Sequence, residues 1–449
     1  MKKIKIFFIC LFFISGLILT SGCERNRVEK VTILFTNDLQ GHILPDKNQR
    51  GGLARIAYLV KKIKTENPNT LLLDAGDASV GTAFATETQG EAIYRVMNAV
   101  GYDASIYGNH EFDLGESQAR RYSEIATFPI LACNIQRADG KAFSKEYAIF
   151  QLPSLKIAVI GVGYPQTPNL VDREGIAELK FLPAEAEIRR IQNLLAEQVD
   201  MMIILSHQGI RADTALAYQL KGFPLIIGGH SEIRINGLRK VNEVNIAQAG
   251  SSGYWLGRID FYWEPKSKKA YNFKGKLLNI TKWIPEDPIV KRVIEEEAKA
   301  VPLEVNRVIG KSWRRLSKDY LGYWCAELIK KETKADFGII NTGGVRSEIY
   351  RGLIQPLDIY QIMPFNDQIC IFEIAGTELL KIKGTKNLYF SRGPKIKPEN
   401  IYKVGSIDFL LKINEFPGAR NEIIWEKLFR DKMIEQVEKD RGFKRFWEE

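Results

Sequence analysis

The chain contains four histidines in 449 residues, and each of them follows a short apolar run. They are His42 in TNDLQGH, His110 in GNHE, His207 in SHQG and His230 in GGH, and the carboxylates Asp38 in VTILFTND and Asp77 in LLLDAGD are placed in the same way. Ligands of open α/β sheets gather beyond the carboxyl ends of the strands, so these side chains can converge on one crevice. Mixed carboxylate, amide and imidazole sets suit zinc, manganese or iron, and the pattern therefore predicts a metal site.

The elements that must position these residues follow from the hydrophobic pattern. Apolar runs that predict buried strands alternate with helical patterns, such as LARIAYLVKKIK, from Val31 to about Trp263. This alternation predicts an α/β layered domain over residues 24–284, completed by late antiparallel strands in WLGRIDFYW and KAYNFKGKLLNI. The prolines and the charged helical pattern of residues 285–302 predict a helix that connects two domains. A second α/β domain is expected over 303–449, and its charged tail predicts a terminal helix on the surface.

Residues 1–23 have the pattern of an export signal. Three lysines, Lys2, Lys3 and Lys5, precede an almost unbroken apolar run over 6–19, and small residues lead to Cys23. A cysteine after small residues resembles a bacterial lipobox, so we expect an exported lipoprotein that is anchored to a membrane through Cys23. An uncleaved N-terminal anchor helix is the alternative.

The net charge and the cysteine content indicate which partners the protein binds and whether it contains disulfides. The formal net charge is +10, and removal of the three lysines of the export signal would leave about +7, which favours anionic ligands. The lysines are scattered, so we expect no nucleic acid polymer as a partner. The cysteines Cys133, Cys325 and Cys370 are few, odd in number and set in apolar stretches, which predicts buried thiols instead of disulfides.

The motifs TNDLQGH, DAGD, GNHEFD, SHQG and GGHSE resemble the five metal motifs of the calcineurin-like metallophosphatases. In the second half, LGYW, NTGGVR, MPFNDQ and YKVGSIDF extend the likeness, so that residues 31 to about 415 resemble the bacterial 5′-nucleotidase family of two-domain exported enzymes. The resemblance implies an N-terminal four-layer α/β-β/α metallophosphatase sandwich and a C-terminal α/β substrate-binding domain, joined by a helix.

The resemblance also implies two divalent metal ions (Mn, Fe or Zn) and their ligands. The first ion would be held by Asp38, Gln40, Asp77 and Glu232, and the second by Asp77, Asn109, His207 and His230. His110 matches the catalytic histidine, which stabilises or protonates the leaving oxygen, and Asp113 matches the carboxylate that orients its ring.

Two of the implied ligands depart from the family pattern. Gln40 stands in place of a histidine, and Glu232 stands in place of a glutamine. The first change weakens the donor for zinc and the second adds a carboxylate, so we expect an altered, oxygen-rich first site that favours manganese or iron. Two alternatives are that His42 replaces the missing imidazole and that the site has lost its activity.

The resemblance places substrate recognition in the second domain. The implied phosphate-binding residues are Lys311, Arg315 and Arg346, the implied base-stacking residues are Phe365 and Phe409, and Asp367 occupies the position of a base-reading asparagine. The family's GGDG turn is replaced by INEF, with Glu415 at the acidic position, so base or sugar recognition is expected to differ.

The leading hypothesis is a monomeric, exported, two-metal hydrolase of nucleotide 5′-phosphomonoesters. A phosphodiesterase for 2′,3′-cyclic nucleotides would use the same metals, and a non-catalytic nucleotide-binding lipoprotein would bind without turnover. A sulfur-oxidation hydrolase of the same superfamily is a fourth possibility, and the pair Phe365 and Phe409 argues against it. The natural nucleotide and the physiological metal stay open.

Overall fold

The computed structural model describes residues 28–385 and 387–444. The predicted export segment, including Cys23, lies outside the described residues. Within the described ranges, no helix combines the length and the apolar composition that are needed to cross a bilayer.

The N-terminal domain is built on two six-stranded sheets. Its strands are β1 (Glu29–Thr36), β2 (Thr70–Asp74), β3 (Ala104–Ile106), β4 (Ile130–Leu131), β5 (Ile135–Arg137), β6 (Tyr147–Gln151), β7 (Lys156–Val162), β8 (Leu179–Phe181), β9 (Met201–Ser206), β10 (Leu225–Gly228), β11 (Arg239–Val241), β12 (Val244–Ala247), β13 (Trp255–Glu264) and β14 (Lys269–Asn279). The sheet orders are β14-β13-β1-β2-β3-β4 and β11-β12-β10-β9-β7-β6. Strands β1 to β4 run parallel, as do β7, β9, β10 and β12.

The two sheets pack face to face and are covered on their outer faces by helices. Apolar side chains from both sheets, such as Ile33 and Leu73 of one and Val159 and Ile203 of the other, form a fully buried inner core. The helices are α1 (Leu53–Glu66), α2 (Ala83–Glu87), α3 (Glu91–Val100), α4 (Gly115–Ile125), α5 (Ala184–Leu195) and α6 (Ile210–Gln219). Helices α1, α3 and α4 cover the first sheet, and α5 and α6 cover the second. The predicted four-layer sandwich is confirmed.

The connecting helix α7 (Pro288–Glu297) begins with an N-cap at Asp287, whose side chain accepts hydrogen bonds from the N–H groups of Ile289 and Val290. Its buried residues Val290 and Ile294 pack in the N-terminal core beside α1 and α3. The helix therefore fixes where the chain enters the second domain.

The C-terminal domain has a five-stranded sheet and its own core. Its elements are β15 (Gly310–Ser312), α8 (Lys318–Thr333), β16 (Phe337–Asn341), β17 (Gly352–Ile354), α9 (Pro356–Ile362), β18 (Gln368–Ala375), α10 (Gly376–Lys383), β19 (Leu388–Phe390), β20 (Ile401–Ile407), α11 (Asp408–Lys412), β21 (Arg420–Leu428) and α12 (Phe429–Asp440). The sheet order is β19-β16-β20-β18-β21. Cys325 and Cys370 are buried in this core, Cys133 is buried in the first domain, and all three are free thiols as predicted.

The terminal helix α12 corrects one expectation. Its charged residues predicted a surface helix, but Phe429, Met433 and Val437 are completely buried in the C-terminal core. These residues are four apart and so share one face of the helix. A narrow apolar stripe is sufficient for core packing, and the average composition of the segment concealed it.

We predict that Phe429→Ala destabilises the C-terminal domain by about 3–5 kcal/mol, because the truncation leaves a cavity that the surrounding core fills only in part. Urea unfolding of the full chain measures the loss. Ile423→Ala on the neighbouring strand β21 is the control, since Ile423 is 60% exposed. Equal effects of the two substitutions would contradict the core position of α12.

Candidate metal centre and substrate cavity

The predicted metal ligands lie at the carboxyl ends of strands from both sheets of the sandwich. Asp38, Asp77 and Asn109 follow β1, β2 and β3, and His207 and His230 follow β9 and β10. Because the strands within each sheet are parallel, their ends bring residues far apart in sequence to one edge. The backbone N–H of His230 donates to Asp38 Oδ1 and Oδ2 at 3.1 and 3.0 Å, so the two sheets meet there.

Asp77, His207 and His230 form the tightest group, with one ligand atom of each within 4.8 Å of the others. His207 Nδ1 donates to the Ala75 carbonyl oxygen at 2.6 Å. Its Nε2 lies 2.9 Å from Asp77 Oδ2 and is buried without a hydrogen-bond partner, because this contact lacks hydrogen-bond geometry. A buried imidazole nitrogen beside a carboxylate oxygen, with the other ring nitrogen held by a backbone carbonyl group, is an arrangement that suits a divalent cation.

The charges of the group also favour a cation. Burial by itself lowers the pKa of His207, but the charge of Asp77 raises it overall, so positive charge is stabilised at this point. Burial and the neighbouring His207 lower the pKa of His230 to about 4, which keeps that imidazole neutral and able to act as a ligand. The His230 ring stacks on Tyr164 at 4.2 Å, and its Nδ1 lies 2.9 Å from Asn109 Oδ1.

Backbone strain is concentrated among the predicted ligands. The left-handed conformation is rare outside glycine and costs about 1–2 kcal/mol per residue. Asp38, Gln40, Asp77, His230 and Glu232 all adopt it, with φ between 46° and 68°. Residues held in such conformations cluster at functional sites, where the surrounding structure compensates for the strain.

The two altered positions, Gln40 and Glu232, contact each other. Gln40 Nε2 donates to Glu232 Oε1 at 2.8 Å, and an Nη2 of Arg346 from the C-terminal domain lies 3.5 Å from the same oxygen. The structure therefore brings both residues to the site and adds a guanidinium beside them. One ring nitrogen of His42 is engaged elsewhere, because its Nδ1 donates to the Leu39 carbonyl oxygen at 3.2 Å.

His110 and Asp113 form a pair at the edge of the cluster of Asp77, His207 and His230, which we call the metal group. His110 Nδ1 donates to Asp113 Oδ2 at 2.8 Å, and His110 Nε2 lies 3.9 Å from Asp77 Oδ2. Burial alone lowers the pKa of His110, but the charges of Asp113 and Asp77 outweigh burial and raise it to about 9. These neighbouring charges favour a protonated imidazole, whose Nε2 faces Asp77. The Phe365 ring stacks on it at 6.0 Å.

Glu111 is a residue of the site that sequence reasoning missed. Its buried carboxylate accepts hydrogen bonds from four backbone N–H groups, those of Asp77, Ala78, Ser79 and Gly108, at 2.7–3.2 Å. It therefore joins the loop after β2 to the loop after β3. An acidic residue that follows a histidine in GNHE gave no sign of this role, because its partners belong to the backbone of a distant loop.

Gly108 allows the loop after β3 to lie directly against Asp77. A Cβ atom at this position would lie 2.1 Å from Asp77 Oδ1 and 2.7 Å from the Asp77 backbone nitrogen. Any side chain would therefore displace Asp77, the ligand that the two predicted metal positions share.

We predict that Glu111→Gln lowers metal affinity by about 10- to 100-fold, because the amide NH₂ would face backbone donors and release the loop that carries Asp77. Manganese titration by calorimetry measures the affinity. Glu116→Gln on α4 is the control, since Glu116 accepts hydrogen bonds from Arg120 near the surface, away from the predicted ligands. Unchanged affinity in Glu111→Gln would contradict the positioning role.

A cavity of about 570 Å³ connects the metal group to the C-terminal domain. From the first domain it is lined by Gln40, Asp77, Asn109, His110, Asp113, His230 and Glu232, and from the second by Arg346, Phe365, Asp367, Phe409 and Glu415. The residues predicted for base contact and one residue predicted for phosphate contact thus face the same space as the metal group.

Lys311 and Arg315 are placed differently from Arg346. Lys311 Nζ lies 3.7 Å over the Trp313 ring, Arg315 forms a two-bond ion pair with Glu348, and neither side chain lines the cavity. The structure does not bring these two residues to the metal group, and their role in phosphate binding stays a prediction.

Comparisons with known proteins agree with this arrangement. Residues 31–232 match the family model of the calcineurin-like phosphoesterases, and residues 302–387 match that of the 5′-nucleotidase C-terminal domain. Protein UshA of Escherichia coli is 28% identical over 438 residues, covering 84% of this chain and 78% of the relative. A 5′-nucleotidase of Vibrio parahaemolyticus is 28% identical over 411 residues, covering 78% of this chain and 73% of the relative.

A solved structure shares the fold over nearly the whole length. The crystal structure of a 5′-nucleotidase precursor from Thermus thermophilus superposes with a TM-score of 0.85 at 22% identity, covering 92% of this chain and 97% of that chain. At this identity the likeness establishes the two-domain architecture.

Proposed function

The chain belongs to the two-domain 5′-nucleotidase family of calcineurin-like metallophosphoesterases, and from this premise we propose that it hydrolyses the phosphomonoester of nucleotides. The observation that carries the proposal is one cavity in which Asp77 and His230 of the predicted metal-ligand cluster, the His110–Asp113 pair and the aromatic residues of the second domain line the same space. A phosphate bound near the metal group could keep its nucleoside inside this cavity.

Two divalent ions would be held by the predicted ligand sets that share Asp77. Bound divalent ions polarise a phosphoryl oxygen, lower the pKa of water and neutralise charge in the in-line transition state. Asp77 suits the shared position because its carboxylate has two oxygens and its backbone is fixed by Glu111. Gln40 and Glu232 supply oxygens at the first position, and a hard, oxygen-rich set favours manganese or iron over zinc.

His110 would donate its Nε2 proton to the oxygen of the leaving nucleoside. Asp113 holds the other ring nitrogen and so fixes the orientation of the imidazole. Arg346, whose guanidinium lies beside Glu232, would bind the phosphate oxygens, since a guanidinium offers a planar fork of donors. Phe365 and Phe409 would stack on the base, and Asp367 would accept hydrogen bonds from it.

We also propose that the chain is exported and anchored through a lipid on Cys23. The basis is the sequence pattern of residues 1–23, which combines a basic start, an apolar run and small residues before the cysteine. A monomer that acts on nucleotides outside the cytoplasm is the form that fits this proposal.

The test uses the chain from residue 24, stripped of metal, and measures phosphate release from AMP with manganese, iron(II), zinc, magnesium or no metal. We expect turnover with manganese or iron. His110→Ala should lower kcat by about 10²- to 10⁴-fold, because the leaving oxygen loses its proton donor. Manganese binding should be retained.

The control is Tyr218→Ala, since Tyr218 is 67% exposed on α6. Release of phosphate from AMP that exceeds hydrolysis of bis(p-nitrophenyl) phosphate would support a monoesterase. The reverse ratio would favour a cyclic phosphodiesterase. A folded chain that binds AMP and releases no phosphate with any metal would overturn the enzymatic proposal.

A second prediction concerns the pair at the first metal position. The double substitution Gln40→His with Glu232→Gln exchanges an amide and a carboxylate for an imidazole and an amide, and we expect it to raise the activity with zinc relative to manganese. Each single substitution should have less effect, because it leaves a mismatched partner across a 2.8 Å hydrogen bond. An unchanged zinc-to-manganese ratio in the double variant would show that these residues do not select the metal.

A further inference from the structure

Arg430, on the first turn of α12, is a buried cation that the proposed chemistry does not use. Its side chain is 3% exposed, and its guanidinium is directed at the segment 363–367. Nη1 donates to the carbonyl oxygens of Pro364 and Phe365 at 3.1 and 3.0 Å, and Nη2 donates to Asn366 Oδ1 at 2.8 Å. The carbonyl oxygen of Met363 lies at 3.5 Å.

The backbone carbonyl groups of this segment have few other hydrogen-bond donors nearby. It leaves the end of α9 and enters β18, and it belongs to neither element. Pro364 has no N–H group, and consecutive carbonyl groups after a helix end need donors from outside the segment. A guanidinium offers several donors in a fixed fork, and its positive charge is favourable at a helix C-terminus.

The segment carries four residues that line the cavity: Pro364, Phe365, Asn366 and Asp367. Phe365 also stacks on the ring of His110. The backbone N–H of Phe429, the neighbour of Arg430, donates to the Asp367 carbonyl oxygen at 2.8 Å, so α12 holds the segment at both of its ends.

The residues that Arg430 contacts also bind side chains of the first domain. The Arg430 guanidinium stacks on the Tyr360 ring at 4.0 Å, and the Tyr360 hydroxyl donates to Glu87 Oε1 at 2.7 Å. Thr86 Oγ1 donates to the Pro364 carbonyl oxygen at 3.0 Å, which Arg430 also binds. The position of Arg430 therefore affects both the segment and its contact with the metal-bearing domain.

We propose that Arg430 is a positioning residue for nucleoside recognition, holding segment 363–367 so that Phe365 and Asp367 face the cavity. The inference deepens the proposed function and rests on it for the identity of the substrate. It places a determinant of nucleoside binding on the terminal helix, outside every motif that the sequence offered.

The test compares AMP with p-nitrophenyl phosphate, which has no nucleoside to recognise. Arg430→Met should raise KM for AMP and lower kcat/KM at least tenfold, while kcat/KM for p-nitrophenyl phosphate stays within about twofold of the unsubstituted protein. Arg430→Lys keeps the charge but not the forked geometry of the donors. Its kcat/KM for AMP should lie between those of Arg430→Met and the unsubstituted protein. Arg307→Met is the control, because Arg307 pairs at the surface with Glu438 on the same helix.

Hydrogen exchange gives a readout that does not require turnover. In Arg430→Met, peptides covering 356–372 should exchange faster, while peptides covering 201–230 should be unchanged. If Arg430→Met does not fold, Arg430→Lys is judged by the same two measurements. Equal losses for both substrates, or unchanged exchange over 356–372, would overturn the inference.

The unsubstituted protein separates this inference from the proposed function. Hydrolysis of p-nitrophenyl phosphate without hydrolysis of AMP would refute the nucleotidase proposal. Exchange over 356–372 would then still decide whether Arg430 holds the segment, and calorimetric binding of adenosine to the variant and to the unsubstituted protein would decide whether nucleoside recognition depends on it.

Discussion

Buried carboxylates whose hydrogen bonds lie within the protein fix the catalytic end of the sandwich. Glu111 gathers four backbone N–H groups from the loops after β2 and β3. Asp74, at the end of β2, accepts from the hydroxyls of Thr36 on β1 and Ser105 on β3, at 2.6 and 3.0 Å. A buried charge is costly unless it is fully paired, so these loops have little freedom to rearrange. The geometry of Asp77 depends on this constraint.

This geometry has an energetic cost, because it strains the backbone of the predicted ligands and buries several carboxyl groups close together. Five predicted ligands have left-handed backbones, and burial raises the pKa of Asp38 to about 8. A cation bound between the carboxylates would stabilise their ionised form, whereas the hydrogen bonds of the surrounding loops compensate for the backbone strain. Gln40 and Glu232 share the left-handed backbone of Asp38, Asp77 and His230 and contact each other, which favours an altered metal position over an abandoned one.

The cavity depends on both domains together. Lys47 pairs with Asp358, and Lys412 pairs with Asp172, so that two ion pairs join the domains, the second of them at the wall of the cavity. In each pair the lysine side chain is exposed, and ion pairs open to solvent in this way contribute little stability individually. Thr86 Oγ1 also donates to the Pro364 carbonyl oxygen, so the segment that Arg430 holds belongs to the same contact between the domains.

The sequence by itself determined the fold class and the residues at the strand ends, because strand hydrophobicity and the side chains that follow each strand are local properties of the chain. It also identified Gln40 and Glu232 as altered positions. Their mutual hydrogen bond, the exposed placement of Lys311 and Arg315, the burial of α12 and the roles of Glu111 and Arg430 were decided by tertiary structure alone. Each of these depends on partners distant in sequence, often backbone atoms, which leave no residue pattern to detect.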